Sequence, residues 1–596
     1  MRAEILTGIA AAVLAVAPAA AQQAADTVQP EGATATTVAP TSPEIAAALA
    51  AKDEGRPVEA GHWMIAAANP LAVEAGAKVL RAGGSAADAM IAAQLVLGLV
   101  EPQSSGLGGG AFLVWYDAAT GQMTTLDARE TAPLEATPQL FLDAEGQPLQ
   151  FFDAVVGGRS VGTPGTPALL GAAHARWGKA AWGDLFAPAI ALAEEGFEVS
   201  PRLAESVVGD AERLGRFEAT ASYFLPGGEP IQAGQVLTNR PYAETLRLLA
   251  EQGADAFYAG DVARDIVQAV RGAEGNPGVL SELDFATYAV KERPPVCATY
   301  RSYEVCGMGP PSSGALTLGQ ILGMLEHSEL NALGPKEPEA WRRIGDASRL
   351  AFADRGRYMA DSDYVPMPTE GLIDPAYLAE RAKLLEGDDA LPEVAPGSPK
   401  WDHAELWGDD QAIEFPSTSH ITIVDGDGNV LSMTTTIENA FGSRLMVRGF
   451  LLNNELTDFS FATHDEGLPV ANRVEPGKRP RSSMAPTIVM RDERPVLAIG
   501  SPGGSRIIGY VAQAIIAWAD WGMNVQQAVA MGHAVNRFGT FDLEAGTPLE
   551  DMLEPLEAMG YQAKVQELNS GLHAIEIGQV LKGGADPRRE GIALGE

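Results

Sequence analysis

Thr418 is the residue with the clearest chemical potential in this chain. Pro416-Ser417-Thr418-Ser419-His420 runs into ITIVDGDGNVLSMTTT over 421–436. A threonine hydroxyl is a weak nucleophile until a base sits beside it, and the α-amino group of an N-terminal threonine is such a base. The ordinary pKa of that amine, about 7.7–8.0, lies close to working pH, as a general base requires. Ser417 blocks the amine, so this chemistry needs the Ser417–Thr418 bond to be cut. On these residues alone, a threonine that merely begins a strand is an equal reading.

The elements around Thr418 must position it. Alternation of Ile421 and Ile423 with Thr422, a turn cluster and a second β-rich run predict a hairpin. If Val424 pairs with Val430, Thr418 falls opposite Thr436, whose hydroxyl would orient or hydrogen-bond the Thr418 Oγ. Gly503 and Gly504, in SPGGS, lack a Cβ and can bring backbone N–H groups close to a ligand. Arg129, in DARETAP, can hold a carboxylate through two parallel N–H···O bonds, and Ser482 and Ser483 offer hydroxyl donors.

Further segments follow in order: GLGGGAFLVWYD (106–117), LDARETAP (126–133), FGSRLMVRGFLLNNELTDFS (441–460), PGKRPRSSMAPTIV (476–489) and GSPGGSRII (500–508). Together with the Thr418 segment they closely resemble the γ-glutamyltransferase (γ-glutamyltranspeptidase, glutathione hydrolase) family of N-terminal-nucleophile hydrolases, over about residues 58 to 590. The resemblance implies an α+β fold, a four-layer αββα sandwich built from two chains after self-cleavage. It implies a large subunit over 58–417 and a small, nucleophile-bearing one over 418–596. Thr418 would be the nucleophile, and Gly503 and Gly504 the oxyanion hole. Arg129, Ser482 and Ser483 would hold the α-carboxylate of a γ-glutamyl donor, and Glu438, Glu455 and Asp458 its α-ammonium. Expected substrates are glutathione and related γ-glutamyl amides, with water or an amino acid or peptide as acceptor and no cofactor. An acylase of β-lactam side chains on the same scaffold would keep Thr418 without needing the clamp. A third reading is a processed but inactive binding protein, against which Arg129, Asp458, Ser482 and Ser483 together with the nucleophile argue.

Composition sets limits. A chain of 596 residues with 46% hydrophobic content can bury about three-quarters of its unfolded surface, and no interior linker divides it. The formal charge of −36 argues against nucleic acid and anionic membranes as partners. The eight histidines include no H-E-x-x-H pattern, and two cysteines cannot build a thiolate zinc site. Residues 1–21 read as a secretory signal with an A-x-A cleavage site, which points to a periplasmic or secreted protein with no membrane contact after signal removal. Residues 22–57, rich in Ala, Thr, Pro and Gln, read as a disordered leader. A two-residue turn at Arg301-Ser302 would set Cys297 opposite Cys306, in reach of a cross-strand disulfide suited to an oxidising compartment.

Asn69-Pro70 and Ser85 predict the starts of two helices, the second nearly all apolar and hence buried. Further helical segments are expected around 165–196, 240–271, 314–328, 337–358 and 375–386. Strands are expected at 111–117, 303–308, 421–436, 449–453, 486–490 and 495–500. Residues 386–416, with nine acids and one lysine between Glu386 and Glu414, predict a poorly anchored segment just before Thr418. Two motifs fail on context: Gly106–Ala111 fits a dinucleotide fingerprint but follows a helix and precedes a strand, and Asp425-x-Asp427-x-Asn429 lacks the later residues of a calcium loop. The stretch 459–480 holds no Tyr for a lid of the family's kind, and Arg444, Arg448 and Arg481 suggest an open, arginine-rimmed site.

Overall fold

The computed structural model describes residues 40–403, 406–410 and 412–596. Among them, two seven-stranded sheets dominate. The first runs Val58–Ala60, Leu581–Ala585, His573–Ile577, Arg494–Gly500, Thr487–Arg491, Tyr303–Gly307, Val296–Tyr300. The second runs Ile592–Gly595, Met64–Ala67, Ser419–Val424, Val430–Thr436, Gly110–Asp117, Gln122–Ala128, Lys291–Arg293. Every pairing in both is antiparallel.

The sheets stack face to face. Met64, Ala66, Val114, Val424 and Val430 of the second meet Cys306, Ile488, Ala498 and Ile575 of the first. The second sheet buries its other face under the helices Pro70–Arg81 and Ala86–Val100. The first does the same under Gly314–Leu325, Pro338–Tyr358 and Ile507–Ala519. This is the αββα sandwich that the motifs implied. Burial on both faces explains why Ser419–Val424 and Val430–Thr436 are buried at every position, polar residues included.

Local signals worked where they were chemical. Asn69 caps Pro70–Arg81, its side chain accepting from Leu71 N. Ser85 and Asp88 form a reciprocal capping box on Ala86–Val100. Cys297 faces Cys306 in the expected register; the two are joined, with Cα atoms 4.1 Å apart. Strands such as Met64–Ala67 and Ile592–Gly595 escaped sequence reading because they are short and apolar, without the alternation that marks a strand with one wet face.

Two expectations are corrected. The disordered leader over 22–57 gives way to a helix, Pro43–Asp53, capped by Ser42. It buries Ile45, Ala48 and Lys52, and the Lys52 ammonium donates to Arg589 O and Gly591 O at 3.0 and 2.8 Å. The rest of the leader to residue 39, and the signal-like 1–21, lie outside the described residues. The segment 386–416 is irregular as expected, but its described residues are anchored. Leu391 N donates to Asp346, Gly397 N to Asp354 and Tyr358 to Gly397 O. No helix of the described residues is long and apolar enough to cross a membrane.

Candidate active site

The hairpin register is Val424 opposite Val430 and Ser419 opposite Thr435. One step further sets Thr418 against Thr436, with hydroxyl oxygens 3.3 Å apart. The chain is uncut here. The Thr418 hydroxyl donates to Ser417 O at 2.6 Å, and the Thr436 hydroxyl donates to the same oxygen at 3.0 Å. Glu438 N donates to Thr436 Oγ1 at 2.8 Å, so the Thr436 proton is left to point at the carbonyl. Two further bonds hold the peptide in place: Ser417 Oγ to Gln103 O at 2.7 Å, and Arg589 Nη1 to Thr418 O at 3.1 Å.

His420 is the histidine nearest in sequence, and it is not a base for Thr418. Its ring nitrogens are taken up by Thr434 and Thr422, and burial, with His573 nearby, holds its pKa well below the usual range.

Every expected site residue except Gly503 lines one cavity with Thr418. Arg129 follows Gln122–Ala128, and Glu455 and Asp458 lie on the single turn Glu455–Asp458. The Arg129 guanidinium bridges both carboxylates and also donates to Pro480 O at 3.2 Å and Arg481 O at 2.9 Å. The motifs set Arg129 on the donor's α-carboxylate and the two acids on its ammonium; in the uncut chain these opposite charges lie directly against one another. Burial raises the pKa of Glu438, Glu455 and Asp458 alike. Glu438 is pushed up to about 8 by burial and by Glu455. Glu455 and Asp458 also rise through burial, although Arg129 opposes it.

Ser482 Oγ accepts from Met484 N at 3.1 Å. Ser483 Oγ accepts from Arg355 at 2.8 Å and donates to Glu414. Gly503 and Gly504 have φ of 136° and 59°, a conformation that side-chain-bearing residues rarely adopt. They lead through the turn Gly504–Arg506 into Ile507–Ala519. A Cβ on Gly504 would stand 2.7 Å from Phe415 O and 2.9 Å from Glu414 O, so the residues before Thr418 lie directly against this turn. They also fill the pocket. Its free volume is about 20 Å³, room for roughly one water.

The family model described as gamma-glutamyltranspeptidase matches residues 72–596. The chain belongs to the γ-glutamyltranspeptidase family. It is 38% identical over 558 residues to the glutathione hydrolase proenzyme of Bacillus subtilis (strain 168), covering 91% of this chain and 93% of that protein. Against the glutathione hydrolase proenzyme of Escherichia coli (strain K12) it is 34% identical over 553 residues, covering 90% and 92%. The crystal structure of cephalosporin acylase from Bacillus halodurans superposes with a TM-score of 0.81 at 27% identity, covering 91% of this chain and 97% of that one.

Within this γ-glutamyltranspeptidase frame some expectations fail. Arg444, Arg448 and Arg481 do not rim an open site. Arg444 is buried on Asp210 and Asn439, Arg448 pairs with Asp265, and Arg481 is buried on Asp410 at 2.6 Å. Asp425, in the motif that failed as a calcium loop, accepts from Asp427 N and Asn429 N and so closes the hairpin turn. Sequence reading missed Glu414 in the pocket lining, and Glu130 and Arg355 packed behind it. Glu130 is buried beside Arg129, and burial with Glu455 raises its carboxyl well above the ordinary range. Arg355 projects from Pro338–Tyr358, where an arginine reads as part of a solvated face, and Glu414 hid inside an acidic run. Only its place four residues before Thr418 could have marked it.

Proposed function

We propose that this chain cuts itself between Ser417 and Thr418 and then hydrolyses or transfers the γ-glutamyl group of glutathione and related amides. The observation that carries this reading is the convergence of the Thr418 and Thr436 hydroxyls on the Ser417 carbonyl, at the wall of a pocket lined by Arg129, Glu438, Glu455 and Asp458. Thr418 Oγ attacks the Ser417 carbonyl carbon while Thr436 donates to its oxygen. The C–N bond breaks, the nitrogen takes the hydroxyl proton, and an ester joins Ser417 to Thr418 Oγ. Water hydrolyses it, leaving a carboxylate on Ser417 and a free amine on Thr418.

That amine then takes the Oγ proton as Oγ attacks the δ-carbonyl of a γ-glutamyl amide. The backbone N–H groups of Gly503 and Gly504 face the developing oxyanion; losing such a donor typically costs about 3–4 kcal/mol. The leaving amine takes the proton, and water, or an amino acid or peptide amine, resolves the γ-glutamyl ester. The clamp holds the donor's charged α-carbon groups, which favours an amino-acid substrate over a β-lactam side chain. No cofactor enters any step. The signal-like 1–21 and the Cys297–Cys306 bridge support export to an oxidising compartment.

Denaturing gels of the mature protein are expected to show two chains, the smaller beginning TSHITIVD. Thr418→Ala gives one uncut chain without turnover of γ-glutamyl-p-nitroanilide. An active single-chain protein would overturn the reading, and faster turnover of glutaryl amides than of γ-glutamyl amides would favour the acylase.

A further inference from the structure

Pro502, Gly503 and Gly504 form a turn whose carbonyls are all bonded locally. Ser501 Oγ donates to Pro502 O at 2.7 Å, Arg506 N to Gly503 O at 3.2 Å and Ile507 N to Gly504 O. The two glycines carry no side chain to anchor the turn, and both have left-handed φ. Its orientation is therefore set by what packs against it. On the pocket side Phe415 O and Glu414 O stand against Gly504. A γ-glutamyl group does not fit the free space of about 20 Å³ beside them, so in turnover this outer contact is gone. The inner contact stays.

That inner contact is Tyr510, on the first turn of Ile507–Ala519. A Cβ on Gly503 would stand 2.7 Å from Tyr510 Cε2 and 3.1 Å from Cδ2, so the ring fills the place of the side chain that Gly503 lacks. Gly571 closes the turn from another side, where a Cβ would stand 2.6 Å from Pro502 Cγ. Tyr510 is fully buried, and its hydroxyl has no hydrogen-bond partner among the described residues. The turn meets the ring.

Buried side chains hold that ring in place. His533 lies against it, with ring centroids 4.2 Å apart and planes at 37°. Gln513, from the same helix as Tyr510, grips both neighbours of His533. Its Nε2 donates to Gly532 O at 2.6 Å, and its Oε1 accepts from Ala534 N at 3.1 Å. Behind the ring, His533 Nε2 lies 2.7 Å from Ser570 Oγ, which is bonded to Asp586. Burial alone would raise the Asp586 carboxyl, but Arg588 and the Ser570 hydroxyl outweigh this and hold it down to about 2. An ionised carboxylate only accepts, so Ser570 donates to it and takes the Nε2–H of His533. Burial, with Arg588, keeps the imidazole neutral. Since Ser570 precedes Gly571, one loop supports the turn both at Pro502 and through Tyr510. In the self-cleavage proposed above, the oxyanion forms on Ser417 O, against the Thr418 and Thr436 hydroxyls, and makes no use of this support.

We propose that Tyr510 is a positioning residue for turnover: held by His533, Ser570 and Asp586, its ring keeps the Gly503 and Gly504 N–H groups aimed at the oxyanion once Phe415 has left. This rests on the oxyanion role given to the two glycines above.

Tyr510→Leu removes the ring and keeps an apolar side chain. Formation and hydrolysis of the γ-glutamyl ester both pass through an oxyanion at this turn, so kcat reads the change whichever step limits it. With γ-glutamyl-p-nitroanilide, kcat is expected to fall roughly 10–100-fold, part of what losing an oxyanion donor costs, while KM holds. The half-time of self-cleavage stays at the wild-type value. Tyr510→Phe, which restores the ring, recovers most of the lost kcat. Ser570→Ala, a smaller change that releases His533, shows the same split at lesser size. Equal slowing of self-cleavage and turnover would mark the residue as merely structural and overturn the proposal. So would a loss confined to KM, or a Tyr510→Phe variant as impaired as Tyr510→Leu. Wild-type protein idle on γ-glutamyl amides would instead fail the substrate reading, and a second measurement needs no substrate. Amide hydrogen exchange in the mature protein is expected to quicken over 501–506 in Tyr510→Leu and not in Tyr510→Phe. Exchange there at the wild-type rate in both variants would overturn the proposal.

Discussion

Glu455 and Asp458 share one guanidinium, Arg129, while Glu438, among the described residues, accepts only from Phe415 N and the Asn454 amide, and that imbalance shapes how the pocket titrates. Glu438 is the clearest case, pushed up to about 8 by burial and by Glu455. An unfolded glutamate loses its proton near pH 4.3, whereas the folded uncut chain keeps it. The folded state therefore binds more protons across this window. The stability involved is fully present below about pH 4.3 and is lost as pH rises through about 8. Thr418→Ala chains, which hold the uncut state, are expected to unfold more easily at pH 8 than at pH 5. The limit for one such proton is about 1.4 kcal/mol per pH unit. Adding Glu438→Gln flattens the profile, since an amide has no proton to lose. Urea unfolding across that range reads this directly, and parallel profiles with and without the substitution would refute it. In the mature enzyme, an arriving donor ammonium would favour release of the same proton.

The hairpin is the element that aligns the two threonines, and the glycine run before Gly110–Asp117 holds the hairpin in place. A Cβ on Gly109 would stand 2.0 Å from Thr436 O and 2.8 Å from Ile437 Cγ2. The motif that resembled a nucleotide loop is thus a close-packing device, letting one backbone lie against Thr436, the residue proposed to orient Thr418. Gly109→Ala must displace Thr436 and with it the hydroxyl on Ser417 O. Overpacking of this kind typically costs about 1–3 kcal/mol of stability. Slower self-cleavage should accompany the fall in Tm, seen as a longer half-time for the appearance of two bands. Cleavage at the wild-type rate would show that the strand absorbs the methyl group elsewhere.

Across the whole molecule, both sheets draw strands from each side of the Ser417–Thr418 bond. Ser419–Val424 lies between Met64–Ala67 and Val430–Thr436, which in turn pairs with Gly110–Asp117. Thr487–Arg491 pairs with Tyr303–Gly307. Cutting one peptide bond therefore leaves the two products knitted through shared sheets and shared cores. The helix Pro43–Asp53 adds a clasp at the far edge, with Lys52 bound to carbonyls of Arg589 and Gly591 just before the terminal strand. Arg589 in turn reaches Thr418 O. Lys52→Ala leaves two buried carbonyls without this donor, a loss on the order of 1–3 kcal/mol. A chain beginning at Val58 should be destabilised at least as much. Thermal melts of both against the full chain test this, and unchanged midpoints would mean the clasp is dispensable.

Thr418, Thr436, the capping of two helices and the Cys297–Cys306 pairing were all legible in the sequence because each depends on local rules. Strand alternation, a counted turn and a capping side chain act over a few residues, so a linear reading captures them. The motifs that resemble the γ-glutamyltranspeptidase family added the layered fold and pointed to the residues that line the pocket. Tertiary structure decided what those residues do to one another. No sequence rule says that Arg129 closes on Glu455 and Asp458, more than three hundred residues away, or that Arg444 is spent on Asp210. Glu414 read as part of an acidic, poorly anchored segment until the fold buried it against Arg355 of a distant helix. The reason is physical: the charge state and partners of a buried group depend on what surrounds it in space, and only the packed chain determines that.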